Sequence, residues 1–244
     1  MAGRVTILGI PVDRVDEEEA LARILGFIES GGPHQVVTVN PEFIVAAQRD
    51  EEFRQVLQGA DLALPDGAGL LWAARYLGEP LKERVAGVDM VVRLAEVAAE
   101  KGYRLFLLGA GEGVAQATAD ILRREHPHLA IVGTYAGSPS LEEEVKILEM
   151  VREARPHILF VAYGAPQQDL WVRRNLNRLG VPVAMGVGGA FDFISGRAER
   201  APRWMQRLGL EWLHRLIKEP WRWRRMLALP KFVWLVIKSK DIER

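Results

Sequence analysis

Short apolar runs alternate with segments of helical period along residues 1–196 of this 244-residue chain. The runs are continuous rather than alternating and rich in Val, Ile and Leu, which is typical of strands in a parallel sheet covered on both faces. The predicted buried strands are Val36–Val39, Leu62–Leu64, Leu105–Leu108, Ile131–Val132, Ile158–Ala162 and Val183–Val187. Residues Val5–Val12 predict an added strand or hairpin.

Between these strands, apolar residues recur at three- and four-residue spacing, which predicts amphipathic helices. Asn40 before Pro41 is a helix cap followed by proline at the first helical position, and Ser140 precedes three glutamates. The predicted helices are Asp16–Glu29, Pro41–Leu57, Val88–Lys101, Gly113–Glu125, Leu141–Arg152 and Gln168–Leu179. The alternation predicts an α/β fold with a Rossmann-like, doubly wound, mostly parallel sheet.

The character of the chain changes after Gly196. Residues 197–244 hold five of the seven Trp residues and 13 Lys+Arg against five Asp+Glu, so they carry +8 while residues 1–196 carry −8. We therefore expect a Rossmann-like core over 1–196 and a basic, helical appendage over 197–244. Between Pro202 and Lys218 the apolar residues fall on one helical face, which is typical of membrane-interface or partner-binding helices. Pro220 and Pro230 are expected to break the rest into short pieces.

Composition excludes several classes of protein. The chain has no cysteine, so it has neither disulfides nor a thiol nucleophile, and its net charge of +0 gives no argument for nucleic acid. No signal peptide and no apolar stretch of about 18 residues is present, so we do not expect an integral membrane protein. The five histidines show no metal spacing beyond a weak His126/His128 pair, and no D-x-D occurs, so no metal or other cofactor is expected.

Five predicted strand ends are polar or rich in glycine, and in an open α/β sheet they should converge on one cleft. Asp66 follows Pro65 at one such end, where a carboxylate could act as a general base or could simply cap an Asp-Gly turn. Asn40 could equally be only a helix cap and Thr38 only a strand residue. The adjacent amides Gln167 and Gln168 are neither strand formers nor preferred caps, so they are harder to dismiss.

The loop from Gly109 to Gly113 could present backbone N–H groups and a helix N-terminus to a phosphate, or it could be a plain strand-to-helix turn. It contains Gly109, Gly111 and Gly113, but Val114 stands where the dinucleotide fingerprint needs a third glycine. NAD binding is therefore disfavoured. No Walker A sequence and no G-x-S-x-G elbow occurs.

Six strings occur in order along nearly the whole chain, from about Val5 to about Leu229. They are VTVNPEFI, ADLALPDGAGLLWAARYLG, ERVAGVDM, LFLLGAGEGV, VAYGAPQQD and GVGGAFDFISGRAERAPRWMQRLGLEWLHRLIKEPWRWRR. Together they closely resemble the WecG/TagA/CpsF family of glycosyltransferases. The resemblance implies an inverting enzyme at the cytoplasmic membrane face that moves N-acetylmannosamine from UDP to the N-acetylglucosamine of undecaprenyl diphosphate, a step in teichoic acid linkage-unit synthesis.

The resemblance also implies roles for individual residues. Asp66 corresponds to the proposed base for the acceptor 4-hydroxyl, and Thr38, Asn40 and Gln168 to its catalytic neighbours. The expected substrate-binding residues are Arg84, Gly109, Gly111, Gly113, Gln167, Gly188, Gly189 and Asp192. The appendage is expected to fold over the pocket and to bind the diphosphate through Arg215, Arg222 and Arg225, in place of a metal.

Alternatives remain at this point. The donor could carry N-acetylmannosaminuronic acid or glucose instead, because branches of the family share these motifs. A non-catalytic, peripheral-membrane nucleotide-binding module would use Asp66 only as a cap. The apolar stripe of the appendage could also be a protein contact, and a homo-oligomer is compatible with the sequence.

Overall fold

The computed structural model describes residues 3–242, with the side chains of all of these except 207, 241 and 242. A six-stranded parallel sheet forms its centre and confirms the predicted Rossmann-like, doubly wound class. The strands, spatially ordered β4-β3-β8-β7-β5-β6, are β3 His34–Val39, β4 Leu62–Pro65, β5 Arg104–Gly109, β6 Ala130–Tyr135, β7 Ile158–Ala162 and β8 Val183–Gly186.

Helices cover both faces of this sheet. The helices of the first 196 residues are α1 Glu17–Ser30, α2 Pro41–Ala47, α3 Glu51–Gln58, α4 Ala68–Leu77, α5 Gly87–Lys101, α6 Val114–Glu125, α7 Leu141–Ala154, α8 Gln167–Leu179 and α9 Ala190–Ile194. Helices α1, α5, α6 and α9 share a core with one face, while α2, α3, α4, α7 and α8 pack on the other. Continuous apolar strands are what two covered faces require.

The predicted N-terminal hairpin is also confirmed. Strands β1 Arg4–Ile7 and β2 Ile10–Asp13 pair antiparallel. The buried carboxylate of Asp13 accepts hydrogen bonds from Arg23 at 2.6 Å and from the backbone N–H of Ala63 at 2.8 Å. The first bond joins the hairpin to α1, and the second joins it to the edge strand β4.

The prediction of a single helix over Pro41–Leu57 is wrong, because two helices occupy that segment. Helix α2 ends at Ala47, and the side chain of Asp50 caps α3 by accepting a hydrogen bond from the N–H of Phe53 at 2.9 Å. An aspartate side chain can bind backbone N–H groups that a continuous helix would otherwise use. At Asp50 this interaction begins a new helix instead of continuing α2. Helix α4 was not predicted.

The appendage also differs from expectation. Its elements are α10 Arg203–Arg207, α11 Glu211–Lys218, a 3₁₀ turn Pro220–Arg222, α12 Trp223–Met226 and α13 Ala228–Ile242. The continuous helical face from Pro202 to Lys218 is interrupted at Gly209, whose φ is +71°.

The prediction that Pro230 breaks the tail is wrong. Pro230 lies in the first turn of α13, where a helix tolerates the missing N–H, and the helix continues to Ile242. Phe232 and Val236 of α13 are buried against α2 and α4. The last helix of the appendage therefore shares a hydrophobic core with the sheet domain.

Candidate active site

A cavity of about 660 Å³ lies beyond the carboxyl ends of β3, β4, β7 and β8 and is covered by the appendage. Its size suits a small-molecule substrate. The predicted site residues among its lining are Thr38, Asn40, Asp66, Arg84, Gly188, Gly189, Asp192, Arg215, Arg222 and Arg225. Four of the five strand ends thus meet in one cavity, together with residues more than 100 positions away in the chain.

Asp66 lies in the floor of this cavity because the β3–β4 register pairs Val39 with Pro65, the residue before it. Its backbone N–H donates to the carbonyl of Val39 at 2.7 Å, and its Oδ2 accepts from the backbone N–H of Gly87 at 3.2 Å. Burial raises the pKa of Asp66 to about 6, against the lowering effects of the Gly87 N–H and of Arg84. A carboxyl group with such a pKa can serve as a base near neutral pH.

Arg84 lies near Asp66 because the chain returns to the end of β4. The backbone N–H of Val85 donates to the carbonyl of Pro65 at 3.0 Å, which holds the segment before α5 against that strand end. The guanidinium of Arg84 pairs with the carboxylate of Glu211 on α11. A core residue and an appendage residue therefore meet inside the cavity.

Thr38 and Asn40 both line the cavity, and both also have structural contacts. The hydroxyl of Thr38 donates to the carbonyl of Gly186 at 3.1 Å and so joins β3 to β8. The side-chain oxygen of Asn40 accepts from the N–H of Phe43 at 3.0 Å and caps α2. The cap uses only the side-chain oxygen of Asn40, and the amide nitrogen takes no part in it.

The two glutamines have different environments. Gln167 is exposed at the first turn of α8 and does not line the cavity. Gln168 is fully buried, and its Oε1 accepts from the backbone N–H of Gly188 at 2.9 Å, behind the cavity wall. Gln168 therefore supports the Gly188 turn rather than facing the cavity directly.

Asp169, next to Gln168, is a buried residue that sequence reasoning missed. It is 0% exposed, and no charged side chain of residues 3–242 is among the groups that shift the pKa of its carboxyl group. Burial raises its pKa to about 7. Its position one residue after two unexplained glutamines was the only available sign in the sequence.

Three arginines of the appendage form a positive cluster in the cavity. Arg215 stacks over the ring of Phe193, 4.9 Å from its centroid, and its Nε has no hydrogen-bond partner among the described residues. Burial lowers the pKa of Arg215, and the neighbouring charges of Arg222 and Arg225 lower it further. Arg215 and Arg222 are partly buried and Arg225 is more than half exposed, and like charges gathered in this way favour a bound anion.

Carboxylates hold these arginines in place. Glu219 pairs with Arg222 and lies 3.6 Å from Nε of Arg215, while Glu42 on α2 lies 2.8 Å from Nη2 of Arg225. The cluster is thus oriented from both the core and the appendage.

Like Gln167 and Gln168, the glycine loop after β5 does not line the cavity. Strand β5 lies one position beyond β7 in the sheet, and Arg197 lies over Gly111, between the loop and Asp192. The backbone of Gly109 packs against that of Ala162, leaving no room for a side chain there. The role predicted for Gly109, Gly111 and Gly113 in phosphate binding stays a prediction.

Large apolar side chains are exposed on the appendage. The most exposed is Trp221, at 73%, and the others include Trp204, Leu208, Ile217, Trp223, Leu227 and Trp234. Monomeric soluble proteins rarely expose so many large apolar groups in one region. Within residues 3–242, no helix combines the length and the apolar character that crossing a membrane requires.

The fold and the cavity are compatible with an enzyme that acts on a small molecule, and comparison with known proteins identifies its class. Over residues 5–244 the chain matches the Glycosyl transferase WecG/TagA/CpsF family, and it belongs to that family. This confirms the resemblance found in the ordered motifs. The protein is therefore a glycosyltransferase.

Among its relatives are two proteins named N-acetylglucosaminyldiphosphoundecaprenol N-acetyl-beta-D-mannosaminyltransferase. The one from Bacillus subtilis (strain 168) is 37% identical over 205 residues, which cover 84% of this chain and 79% of the relative. The one from Staphylococcus aureus (strain MW2) is 27% identical over 239 residues, covering 97% of this chain and 93% of the relative.

Proposed function

We propose that the chain transfers N-acetylmannosamine from UDP to the N-acetylglucosamine of undecaprenyl diphosphate, with inversion at the anomeric carbon. The names of its relatives support the transferred sugar and the acceptor. The observation that carries the proposal is that one cavity brings together the carboxylate of Asp66 and a cluster of three arginines. A base and an anion site are the two elements that this transfer needs.

The reaction is a single displacement. The acceptor 4-hydroxyl loses its proton to Asp66, and its oxygen forms the new bond to the anomeric carbon of the donor sugar. The bond from that carbon to the UDP oxygen breaks, and its electron pair leaves with UDP. Because Oδ2 of Asp66 is held by the Gly87 N–H, the carboxylate has a fixed orientation towards the cavity.

The negative charge that develops on UDP requires cations at the leaving group. Arg215, Arg222 and Arg225 supply them in this proposal, with no metal ion required. The diphosphate would replace Glu219 and Glu42 as the partner of these guanidinium groups. Arg84, Gly188, Gly189 and Asp192 contact substrate from the core side, and Gln168 positions the Gly188 turn.

The appendage, residues 197–244, would hold the enzyme on the cytoplasmic face of the membrane, where a lipid-linked acceptor resides. Its exposed Trp, Leu and Ile side chains beside basic residues support this location, since such surfaces lie in the headgroup region of bilayers. Truncation before residue 197 would also uncover the apolar face that Phe232 and Val236 cover. Point variants therefore test the appendage more cleanly than its removal.

The test is UDP release by the purified full chain with a short-chain lipid-diphosphate N-acetylglucosamine acceptor. UDP-N-acetylmannosamine, its uronic acid and UDP-glucose are offered separately, each with and without EDTA. The proposal expects turnover of UDP-N-acetylmannosamine that EDTA does not abolish. Turnover of another donor alone would reassign the sugar. UDP binding without turnover of any donor, with the acceptor presented in bilayers, would favour the non-catalytic module.

A further inference from the structure

Four alternating charges connect the core to the appendage next to Asp66. Arg200 of the appendage forms a bidentate pair with Asp89 on α5, with Nη2 to Oδ2 at 2.7 Å. The Nε of Arg200 lies 3.3 Å from Oε1 of Glu211, whose other oxygen pairs with Arg84. Arg84 closes the ring, since its Nη2 lies 3.9 Å from Asp89.

These four side chains are between 18% and 39% exposed, so water screens them only in part. Two of the four, Arg200 and Glu211, belong to the appendage. The ring exists only while the appendage is docked. An exposed surface salt bridge would contribute little, but this network is partly buried and bidentate.

Two members of the ring, Arg84 and Glu211, line the same cavity as Asp66, and the hydrogen bond from the N–H of Val85 to the carbonyl of Pro65 holds Arg84 beside the strand end that precedes Asp66. The groups that face Asp66 are Arg84 from the segment before α5, Asp89 from α5, Glu211 from α11 and the neutral Thr38 from β3. Arg84 lowers the pKa of Asp66, whereas Glu211 and Asp89 raise it, each more weakly than burial does. Arg200 pairs with both of these acids.

We propose that Arg200 and Glu211 are positioning residues through which docking of the appendage sets the reactivity of the Asp66 base. Glu211 neutralises Arg84. Without Glu211, the charge of Arg84 would stabilise the ionised Asp66 carboxylate and make it a weaker base. Arg200 in turn partly neutralises Asp89 and Glu211, so that these two acids do not disfavour the ionised form of Asp66 more strongly. This inference rests on the proposed function only in taking Asp66 as the base, and it adds that the appendage contributes to the chemistry beyond binding lipid and diphosphate.

The charges make opposite predictions for two variants. Glu211→Gln removes an acid and frees Arg84, so the titration midpoint of Asp66 moves to lower pH. Arg200→Gln leaves Asp89 and Glu211 uncompensated, so the midpoint moves to higher pH. Each shift should be about half a pH unit for partly screened charges at this range. Loosening of the appendage alone cannot produce shifts of opposite sign.

The test is ¹³C NMR of the full chain labelled at the aspartate carboxyl carbon, with Asp66→Asn used to assign the Asp66 signal. Wild type, Glu211→Gln, Arg200→Gln and Arg200→Lys are titrated from pH 4.5 to 8.5. Arg200→Lys keeps the charge but loses the bidentate geometry, so its midpoint should stay close to that of wild type. Glu199→Gln is the matched control, because Glu199 is exposed on the appendage and pairs with Lys218 instead.

Opposite shifts in the two Gln variants, with Arg200→Lys and Glu199→Gln near wild type, support the proposal. Shifts in the same direction, or no shift in either variant, would overturn it. The readout does not need sugar transfer. If the titrations shift as expected but no donor is turned over, the proposed function fails while the electrostatic coupling stands. If a donor is turned over but the titrations do not shift, the electrostatic coupling fails while the proposed function stands.

Discussion

The Oδ2 atom of Asp66 accepts a hydrogen bond from the backbone N–H of Gly87, 3.2 Å away, at the first residue of α5. Gly87 has little room for a side chain, because a Cβ there would lie 3.0 Å from Cγ2 of Thr38 and 3.7 Å from Oδ2 of Asp66. The N-terminus of a helix favours the ionised carboxylate, whereas burial opposes it. Burial dominates, and the pKa of Asp66 rises to about 6.

The pH dependence of catalysis follows from this pKa. A base acts in its ionised form, so kcat/KM should rise as the pH increases through about 6 and level off near neutrality. An unperturbed aspartate would place that rise about two pH units lower. Initial rates from pH 4.5 to 8 with the donor well below its KM measure the curve. A flat profile between pH 5 and 7 would argue against Asp66 as the base.

We expect substitutions in the arginine cluster to lower kcat/KM for the donor only at the positions that line the cavity. Arg222→Gln and Arg225→Gln should each lower kcat/KM for the donor about tenfold or more, since each removes a charge-assisted contact to the diphosphate. Arg224→Gln is the matched control, because Arg224 lies between them in sequence but does not line the cavity. Equal effects of all three substitutions would indicate a general loss of positive charge rather than a diphosphate site.

The exposed aromatic residues predict membrane association. The double variant Trp221→Ala, Trp223→Ala should bind anionic vesicles at least several-fold more weakly in sedimentation, with an unchanged melting temperature because both side chains are exposed. Leu141→Ala serves as the control. Leu141 is 71% exposed on α7, which packs beside β6 at the opposite edge of the sheet from β4. Undiminished vesicle binding by the Trp variant would assign this surface to a protein contact.

The buried carboxyl group of Asp169 predicts a pH-dependent effect on stability. Its pKa is raised to about 7, so the folded state favours the protonated form, and the stability it supports is lost as the pH rises through 7. Asp169→Asn mimics the neutral form. Its melting temperature relative to wild type should therefore be higher at pH 8 than at pH 5. The same difference at both pH values would mean that Asp169 does not titrate in this range.

The sheet was predictable because each central strand is a short, continuous apolar run, and Asn40-Pro41 marks a helix start that the structure contains. The meeting of strand ends then followed from the general geometry of parallel sheets. Helix α13 differs from the expectation because Pro230 lies in its first turn, where a helix tolerates proline.

Long-range pairing within the site could not be predicted. Arg84 and Glu211 are 127 residues apart, and no local pattern records that a glutamate of the appendage lies against the segment before α5. One sign was present, since Glu211 is among only five acids in a strongly basic segment. Whether the glycine loop reaches the cavity also depends on the position of β5 in the sheet. The order of strands in a sheet is not visible in the periodicity of the sequence.

The central claim is that Asp66 is the base of a glycosyl transfer in this cavity. The most direct measurement compares wild type with Asp66→Asn for both turnover of UDP-N-acetylmannosamine onto the lipid-diphosphate acceptor and affinity for UDP. Asp120→Asn, on the exposed face of α6, serves as the control for loss of a carboxylate. The account predicts that Asp66→Asn loses at least about a hundredfold in kcat, a typical contribution of a general base, while UDP binds nearly as before. Equal turnover by Asp66→Asn and wild type would contradict it.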